Sequence, residues 1–302
     1  GLGFSPDLVW IKNRSSTPWH LLYNIISGAG KELYSNSTAA EATTNNQYGY
    51  LSAFNSDGFT VAAGSSTAEN VNASSNSYVA WTWDAGTSNT TISANAYSAG
   101  VPSITSTVRA NASAGFSIVT YTGTGANATV GHGGLANLSN GMIIVKNRSS
   151  ATNWRVYHSA LGNTKVIFLS TTGAPDTNSV YWNNTSATST VFSVGSDDGV
   201  NGNGNSMIAY CFAPVSGYSS FGSYTGNGST DGPFVYTGFR PRWLLFKNTN
   251  VSGQYWDIYD TARDTYNVSG LRLFPNASDA ENDARPEYDI LSNGFKVRDS
   301  ST

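Results

Sequence analysis

The sequence is short of cysteine and of charge. Cys211 is the only cysteine in 302 residues, so a disulfide within the chain is excluded and stability must come from packing and sheet hydrogen bonds. Charged residues make up only 12% of the chain, the net charge is −3, and no basic run occurs. Binding to nucleic acid, which depends on clustered lysine and arginine, is therefore not expected.

Long apolar runs and metal-ligand clusters are also lacking. No apolar run approaches the roughly 20 residues that a helix needs to cross a bilayer, so membrane insertion is not expected. His20, His132 and His158 have no second histidine or cysteine at metal-ligand spacing. A zinc site is therefore not expected, and no cofactor is predicted.

Aromatic residues, at 13% of the chain, and glycine, with 31 residues, are abundant. Short runs rich in β-branched and aromatic residues recur between Gly, Asn, Ser, Asp and Pro, and this pattern predicts strands. The runs are DLVWIK, YVAWTW, FSIVTYT, MIIVK, RVYH, VIFLS, VFSVG, MIAYCF, FVYTG and WLLFK. Only Thr261–Asn267 and Ser278–Glu287 carry enough charge to suggest helical turns. The sequence therefore predicts an all-β fold.

The chain contains an internal repeat in three copies. In each copy a short apolar run ends in Lys-Asn, and a tryptophan and a tyrosine follow. The lysines are Lys12, Lys146 and Lys247, and the pairs are Trp19 with Tyr23, Trp154 with Tyr157, and Trp256 with Tyr259. Repeats of roughly 100 residues are large enough to bury their own cores, so tandem β-sandwich modules are predicted.

The repeat divides the chain into three units and a connector. Unit 1 spans residues 1–84 without an opening strand, unit 2 spans 115–213 as the complete copy, and unit 3 spans 217–302 without a closing strand. Residues 85–114, rich in Ser, Thr, Asn and Ala, are predicted to be an extended connector. The closing strands YVAWTW and MIAYCF are apolar on both faces, which predicts a central place in each sheet.

Two interpretations of the incomplete units stay open. The 302 residues are a window of a longer polypeptide, or a neighbouring chain supplies the missing strand by β-augmentation.

Several long strings resemble a known family. GFSPDLVWIKNRS, GYLSAFNSDGFTV and MIIVKNRSSATNWRVYHSALG are similar to a repeat module of virion proteins from marine and other tailed bacteriophages. The resemblance covers nearly the whole chain. It implies a concanavalin- or jelly-roll-like β-sandwich, a structural or tail-fibre-like role, and a location in the virion or outside the cell. It brings no catalytic residues.

The lysine motif has a ligand-binding and a structural interpretation. Lys12, Lys146 and Lys247, each followed by Asn, offer a cation and an amide that suit sugar hydroxyls or a carboxylate. In the structural interpretation, Asn turns the chain and Lys lies along an aromatic face. We favour the structural interpretation because the motif ends a strand in every unit.

The tryptophans have the same two interpretations. One member of each Trp–Tyr pair is expected in the core, while the other could stack on a sugar or contact another subunit. Trp19, Trp154 and Trp256 are therefore candidate ligand-binding residues.

Acidic residues suggest one weak metal site and no catalytic centre. Asp197, Asp198 and Asn201 form an oxygen-rich stretch that is a calcium candidate, with a hairpin turn as the alternative. Between Gly115 and Ser216 the only acids are Asp197, Asp198 and Asp176, so the units share no acid pair of the kind glycosidases use. No catalytic residue is predicted.

These observations predict a non-enzymatic bacteriophage virion structural protein in a tail fibre, an appendage or a capsid decoration. Its expected partners are other copies of itself, other virion proteins and host cell-surface glycan, bound through many weak contacts. Two alternatives are kept. One is a depolymerase of surface polysaccharide, and the other is a self-assembling filament or sheath subunit joined by strand donation.

Overall fold

The computed structural model describes residues 1–43, 47–67, 69–282 and 285–300. The chain is nearly all β, with 37% strand and 4% helix, which confirms the predicted all-β, sandwich-type fold. No helix in the described ranges is long and apolar enough to span a membrane.

The strands follow the three repeats. Unit 1 contains β1 (Leu8–Asn13), β2 (Leu21–Asn24), β3 (Lys31–Tyr34), β4 (Ala42–Thr43), β5 (Tyr50–Asn55), β6 (Gly58–Ala62) and β7 (Tyr78–Trp83). The next segment contains β8 (Thr90–Ile92) and β9 (Ser106–Asn111). Unit 2 contains β10 (Phe116–Thr122), β11 (Ala128–Gly131), a 3-10 turn (Leu138–Asn140), β12 (Met142–Asn147), β13 (Arg155–His158), β14 (Lys165–Phe168), β15 (Asp176–Thr177), α1 (Ser179–Trp182), β16 (Val191–Val194), α2 (Asp198–Asn201) and β17 (Ser206–Phe212). Unit 3 contains β18 (Phe234–Tyr236), β19 (Trp243–Lys247), β20 (Trp256–Asp260), β21 (Tyr288–Leu291) and β22 (Gly294–Val297).

The same antiparallel hairpin forms the centre of every unit. It is β1–β2 in unit 1, β12–β13 in unit 2 and β19–β20 in unit 3. The first hairpin belongs to a sheet of order β4-β3-β2-β1-β7, and the second to a sheet of order β15-β14-β13-β12-β17-β10-β9-β8. The third hairpin has no further strand beside β19 in the described residues.

A small outer sheet covers one face of each hairpin. The outer sheets are β5–β6 in unit 1, β11–β16 in unit 2 and β18-β22-β21 in unit 3. An apolar core lies between the two layers in each unit. Hairpin residues of alternating direction supply it, for example Val9 and Tyr23 in unit 1 and Ile143 and Tyr157 in unit 2.

The opposite faces of the three large layers share one central core. The sequence predicted a string of separate modules, whereas in the structure each unit covers apolar surface of its neighbours. The strand patterns explain it: both faces of β1 and β12 are apolar, so both must be covered. The buried members of the central core are Leu8, Trp10, Leu22, Leu33, Trp81, Ala85, Phe116, Ile118, Met142, Ile144, Trp154, Val156, Ile167, Leu169, Ile208, Tyr210, Trp256, Ile258 and Leu273.

The segment at 85–114 is not an extended connector. Its strand β9 pairs with β10 along six residues, and β8 pairs with β9. Ala85 is buried, and the Arg109 guanidinium lies 2.7 Å from the Asp7 carboxylate of unit 1. Ser106 and Val108 alternate along β9 and are buried between it and the outer layer of unit 2, a pattern hidden by the small polar residues around them.

Other local predictions have mixed outcomes. The turns before GFTV and GFKV are hairpins, β5–β6 and β21–β22. Closing strand β17 lies between β12 and β10 as predicted, whereas β7 pairs only with β1 and is an edge strand in the described part of the chain. Neither predicted helical segment is a helix in the described residues. Thr261–Asn267 forms non-helical turns, and the described residues of Ser278–Glu287, which leave out positions 283–284, contain no helix.

Candidate functional site

The Lys-Asn motif is built into the interior. Lys12 and Lys146 are fully buried, so the ligand-binding interpretation is wrong for both of them. Lys146 Nζ donates to the carbonyl of Thr152 at 2.8 Å and to the carbonyl of Thr38, in unit 1, at 2.9 Å. Lys247 is half-buried and donates likewise to the Thr172 carbonyl of unit 2 at 3.3 Å.

Burial shifts the titration of these amines. The pKa of Lys146 falls to about 7 because of burial and the nearby positive charge of Arg155. Burial lowers the pKa of Lys12 to about 8, while the charge of Asp279 acts in the opposite direction. Both amines are therefore structural donors to carbonyls and carry a reduced tendency to be charged.

The asparagine of the motif turns the chain, as the structural interpretation predicted. Asn13 Oδ1 accepts from the amides of Ser15 and Ser16 at 2.9 and 3.1 Å. Asn147 Oδ1 accepts from the two amides at the same offsets, at 2.9 and 3.0 Å. Asn248 repeats the arrangement in unit 3. The motif is thus a strand-ending Asx turn.

Trp154 and Trp256 join neighbouring units and do not bind a ligand from solvent. Both are buried in the central core. Trp154 Nε1 donates to the carbonyl of Tyr34 in unit 1 at 2.8 Å, and Trp256 Nε1 donates to the carbonyl of Phe168 in unit 2 at 2.9 Å. Their partner tyrosines are buried in the outer cores, so neither member of these pairs is a platform for sugar.

Trp19 is not the third member of this set. Strand pairing places Leu22, Val156 and Ile258 at equivalent positions, opposite Trp10, Ile144 and Leu245 respectively. The residue two places before each of these is His20 in unit 1, Trp154 in unit 2 and Trp256 in unit 3. Trp19 is instead 46% exposed and meets Tyr34 edge-to-face.

His20 makes the corresponding junction with unit 3. It is fully buried, and its Nδ1 accepts from Trp10 Nε1 at 3.0 Å. The Phe274 carbonyl favours its protonated form, although His20 Nε2 has no well-aligned hydrogen-bond partner in the described residues. Burial nevertheless holds the pKa of His20 well below its ordinary value. The repeated-tryptophan pattern missed His20, because unit 1 has a histidine where units 2 and 3 have a tryptophan.

Arginines close two of the three junctions. Arg148 of unit 2 makes a bidentate pair with Glu41 of unit 1 at 2.7 and 2.8 Å, and Arg14 of unit 1 makes the same pair with Glu281 of unit 3. Thr249 replaces the arginine in unit 3. The three units therefore contact one another in a closed ring, in which unit 1 also touches unit 3.

The glutamate position explains why the junction between units 2 and 3 does not repeat this ion pair. Glu41 and Glu281 each lie eight residues after a core leucine, Leu33 and Leu273, and each amide donates to the carbonyl of the paired arginine. The equivalent residue of unit 2 is Pro175, which has neither a carboxylate nor an amide hydrogen.

The calcium prediction is wrong. Asp197 caps α2 by accepting from the Gly199 amide at 2.8 Å, and it pairs with Arg155 at 2.9 Å. Asn201 is buried and its Oδ1 accepts from the Thr124 amide at 2.8 Å, while Asp198 is exposed. This stretch is a capped helical turn and not a hairpin. Within the described residues no group of three His, Cys, Asp or Glu side chains could hold a metal ion.

Several acids of unit 3 are buried or half-buried and pair with arginine. Asp260 accepts from Trp81 Nε1 at 3.0 Å and pairs with Arg263, which also reaches Glu281 at 2.7 Å. Asp257 and Glu287 lie on either side of Arg272, at 3.9 and 2.8 Å.

Asp257 is the most perturbed of these acids. Burial, and then the nearby charge of Glu287, raise its pKa to about 7. The Tyr259 hydroxyl donates to Glu287, whose own pKa is raised by burial. Asp257 lines a cleft, whereas Glu287 does not.

That cleft is a large open feature of unit 3. It has a volume of about 2350 Å³ and lies between the edge strands β7 and β19. Residues from the centre of the molecule and from the interior of unit 3 both reach it, including Trp83, Leu245, Phe246 and Tyr288. An opening lined by apolar residues of the central core and of the unit 3 core therefore lies beside β19.

Exposed aromatic side chains concentrate around the same unit. Phe234 and Tyr236, on the same face of edge strand β18, are 45% and 70% exposed, and Tyr236 lines the cleft. They form what we call the β18 aromatic patch. Sequence reasoning did not select them, because their FVYTG run reads as an ordinary strand.

Comparison with curated proteins found no match, and comparison with solved structures found none. A family model described as "Domain of unknown function (DUF7483)" matches residues 1–302, and the chain therefore belongs to this family.

Proposed function

We propose that the protein is a non-enzymatic structural protein of a bacteriophage particle, placed in a tail fibre, an appendage or a capsid decoration, and that it contacts host glycan. One observation carries the structural part of the proposal. Six side chains of the repeated motif bond across to a neighbouring unit: Lys146, Lys247, Trp154, Trp256, Arg14 and Arg148.

A rigid ring of this kind suits a component that bears load and presents a surface. Its three large layers pack on one core, so a force on one unit is transmitted to the others. The virion location rests on the resemblance of the motif strings to phage virion modules.

Immunogold electron microscopy tests the virion location. Antibodies raised against the purified chain should label phage particles whose genome encodes it, at a defined projection or surface. Absence of the chain from purified particles, while mass spectrometry detects it in the infected-cell lysate, would refute the proposal.

The β18 aromatic patch supports the glycan contact. Two exposed aromatic rings at alternate positions of an edge strand offer flat faces for sugar rings. Lys296 lies across from Phe234 and pairs with Asp231 at 2.9 Å, so hydrogen-bonding groups lie beside the rings, and many copies would add such weak contacts together.

A glycan array tests this contact. The protein, multimerised on beads, should bind a subset of bacterial surface glycans, and F234A/Y236A should lose that binding. Tyr48→Ala, which removes an exposed tyrosine of unit 1, is the matched control and should bind as the parent does. Equal binding by the parent, F234A/Y236A and Tyr48→Ala would show that the β18 aromatic patch does not bind glycan.

The depolymerase alternative has one observation in its favour, the pKa of about 7 at Asp257 in the cleft wall. A carboxyl group that holds a proton near neutral pH suits a general acid. Incubation with host surface polysaccharide should release no reducing ends if the structural proposal is right. Release that Asp257→Asn abolishes would establish the enzyme instead.

A further inference from the structure

Strand β19 lacks the neighbour that its equivalents have. In unit 1, β1 lies between β2 and β7, and in unit 2, β12 lies between β13 and β17. In unit 3, β19 pairs with β20 alone in the described residues, and its other side faces the cleft. The backbone groups on that side therefore have no strand partner.

The walls of the cleft match the two faces of a closing strand. In unit 2, β17 sends Ile208 and Tyr210 into the central core and Met207, Ala209 and Cys211 into the outer core. Around the cleft, Leu245 belongs to the central core of the molecule, while Phe246 belongs to the outer core of unit 3. A strand inserted here would be covered on both faces, as β17 is.

The opening segment of unit 3 supplies an independent observation. Unit 2 contains the strand β10, which pairs with β17 along seven residues. The matching segment of unit 3, at 217–226, contains no strand although Tyr224-Thr225-Gly226 repeats Tyr121-Thr122-Gly123. Most of this segment lines the cleft. Its failure to form a strand follows from the missing neighbour, since the closing strand would lie between it and β19.

We propose that the cleft binds an extended segment of a different protein chain, which pairs antiparallel with β19 and completes the unit 3 sandwich. This inference stands apart from the virion and glycan proposals, because it depends only on the comparison of the three units.

The two existing closing strands define the chemistry of the segment. We aligned β7 and β17 on the motif lysine that each strand faces. Three alternate positions then carry large apolar residues that face the central core. They are Val79, Trp81 and Trp83 in β7, and Ile208, Tyr210 and Phe212 in β17. Small residues lie between them: Ala80 or Ala209, and Thr82 or Cys211.

The alternation also fits the unit 3 walls. The first small residue would lie opposite Phe246, whose ring stacks on Tyr288 with the ring centroids 4.5 Å apart. The large residues would lie opposite Trp243, Leu245 and the stem of Lys247. The expected segment therefore reads large aliphatic, alanine, aromatic, small, aromatic.

Peptide binding tests the proposal without altering the protein. A fluorescent peptide containing the YVAWTW sequence of β7, with charged flanks for solubility, is titrated against the full chain. We expect saturable binding, and residue-resolved hydrogen exchange should show new protection at β19 and in the segment at 217–226.

Two control peptides separate strand addition from apolar adhesion. The first carries N-methyl groups at two alternate amides, which removes hydrogen bonds and keeps the side chains, and should bind roughly tenfold or more weakly. The second shifts the large–small alternation by one residue and should bind as weakly, because its side chains would point to the wrong faces.

Equal affinity for the parent and N-methylated peptides would overturn the proposal, as would binding without protection of β19. Concentration-dependent self-association that protects β19 without any peptide would also overturn it, since a second copy would then occupy the edge. Because the compared changes lie in the peptide, misfolding of the protein cannot explain a loss of binding.

Discussion

At the scale of single residues, the repeated motif is a set of buried polar anchors. The sequence shows that the lysine recurs, but it does not show that the Lys146 amine is bonded partly to the Thr38 carbonyl, 108 positions away. Buried amines are unusual, and a cation in a neutral polar loop ordinarily lies in solvent. The structural interpretation was correct in kind, while its detail, a lysine along an aromatic face, is replaced by a lysine bonded to carbonyls.

Lys146→Ala and Lys247→Ala form a matched pair that measures this burial. Lys146→Ala leaves buried carbonyls unsatisfied and should lower the free energy of unfolding by about 1–3 kcal/mol. Lys247→Ala, at a half-buried site where water can replace the amine, should lower it by under about 1 kcal/mol. Urea unfolding monitored by tryptophan fluorescence gives both values, and equal losses would contradict the burial argument.

His132 gives a pH-dependent prediction. Its Nδ1 accepts from the Leu135 amide and its Nε2 lies 3.2 Å from the Thr188 carbonyl, so the neutral ring with a proton on Nε2 fits the site. Burial lowers its pKa to about 4. The unfolded chain, with a histidine pKa of about 6.5, binds more protons between these values. The contribution of His132 to stability is therefore complete above pH 6.5 and is lost as the pH falls toward 4.

His132→Gln removes this titration. The difference in unfolding free energy between the parent and this variant should shrink as the pH falls from 7 to 4, by at most about 1.4 kcal/mol for each pH unit. Taking this difference at each pH cancels the contributions of the other titrating groups, which both proteins share. One of them is Asp257, whose raised pKa makes stability fall as the pH rises. A difference that stays constant with pH would show that His132 is not buried in the neutral form.

At the scale of elements, strand register decides which side chains are equivalent. The tryptophans follow the motif lysine by seven, eight and nine residues in the three units (12 to 19, 146 to 154, 247 to 256). The loops before β2 and β13 have the same length and the loop before β20 is one residue longer, so Trp19 matches Trp154 by residue type but not by position. Hydrogen-bonded pairing places His20 there instead.

The junction between units 1 and 2 can be measured with Arg148 and Glu41. A double-mutant cycle with Arg148→Met, Glu41→Gln and the double variant should give a coupling energy of about 1–3 kcal/mol, because the bidentate pair is only 20% and 10% exposed. The same cycle at Arg14 and Glu281 is the matched comparison and should give a similar value. Coupling near zero at both junctions would mean that the ion pairs do not join the units.

At the scale of the whole molecule, the three units form one folding body. The central core draws buried side chains from every unit, and removing one unit would expose those of the other two. Calorimetry of the full chain should show one thermal transition, with equal calorimetric and van't Hoff enthalpies. Two or three separate transitions would show instead that the units unfold independently.

The sequence by itself determined the fold class and the recurrence of the Lys-Asn motif at three places in the chain. These follow from local properties: alternation of apolar residues sets strand faces, Asn and Gly set turns, and repetition is visible without coordinates. The hairpins at Gly58 and Gly294 and the central place of β17 could be predicted for the same reason.

Only the tertiary structure decided how the copies meet. The segment at 85–114 joins the unit 2 sheet, Trp154 and Trp256 face neighbouring units, and Lys12 is buried, because each of these outcomes depends on atoms distant in the chain. A strand with two apolar faces must be covered twice, but its pattern does not say by what. In this protein the second cover is the other two units, and beside β19 it leaves an open cleft.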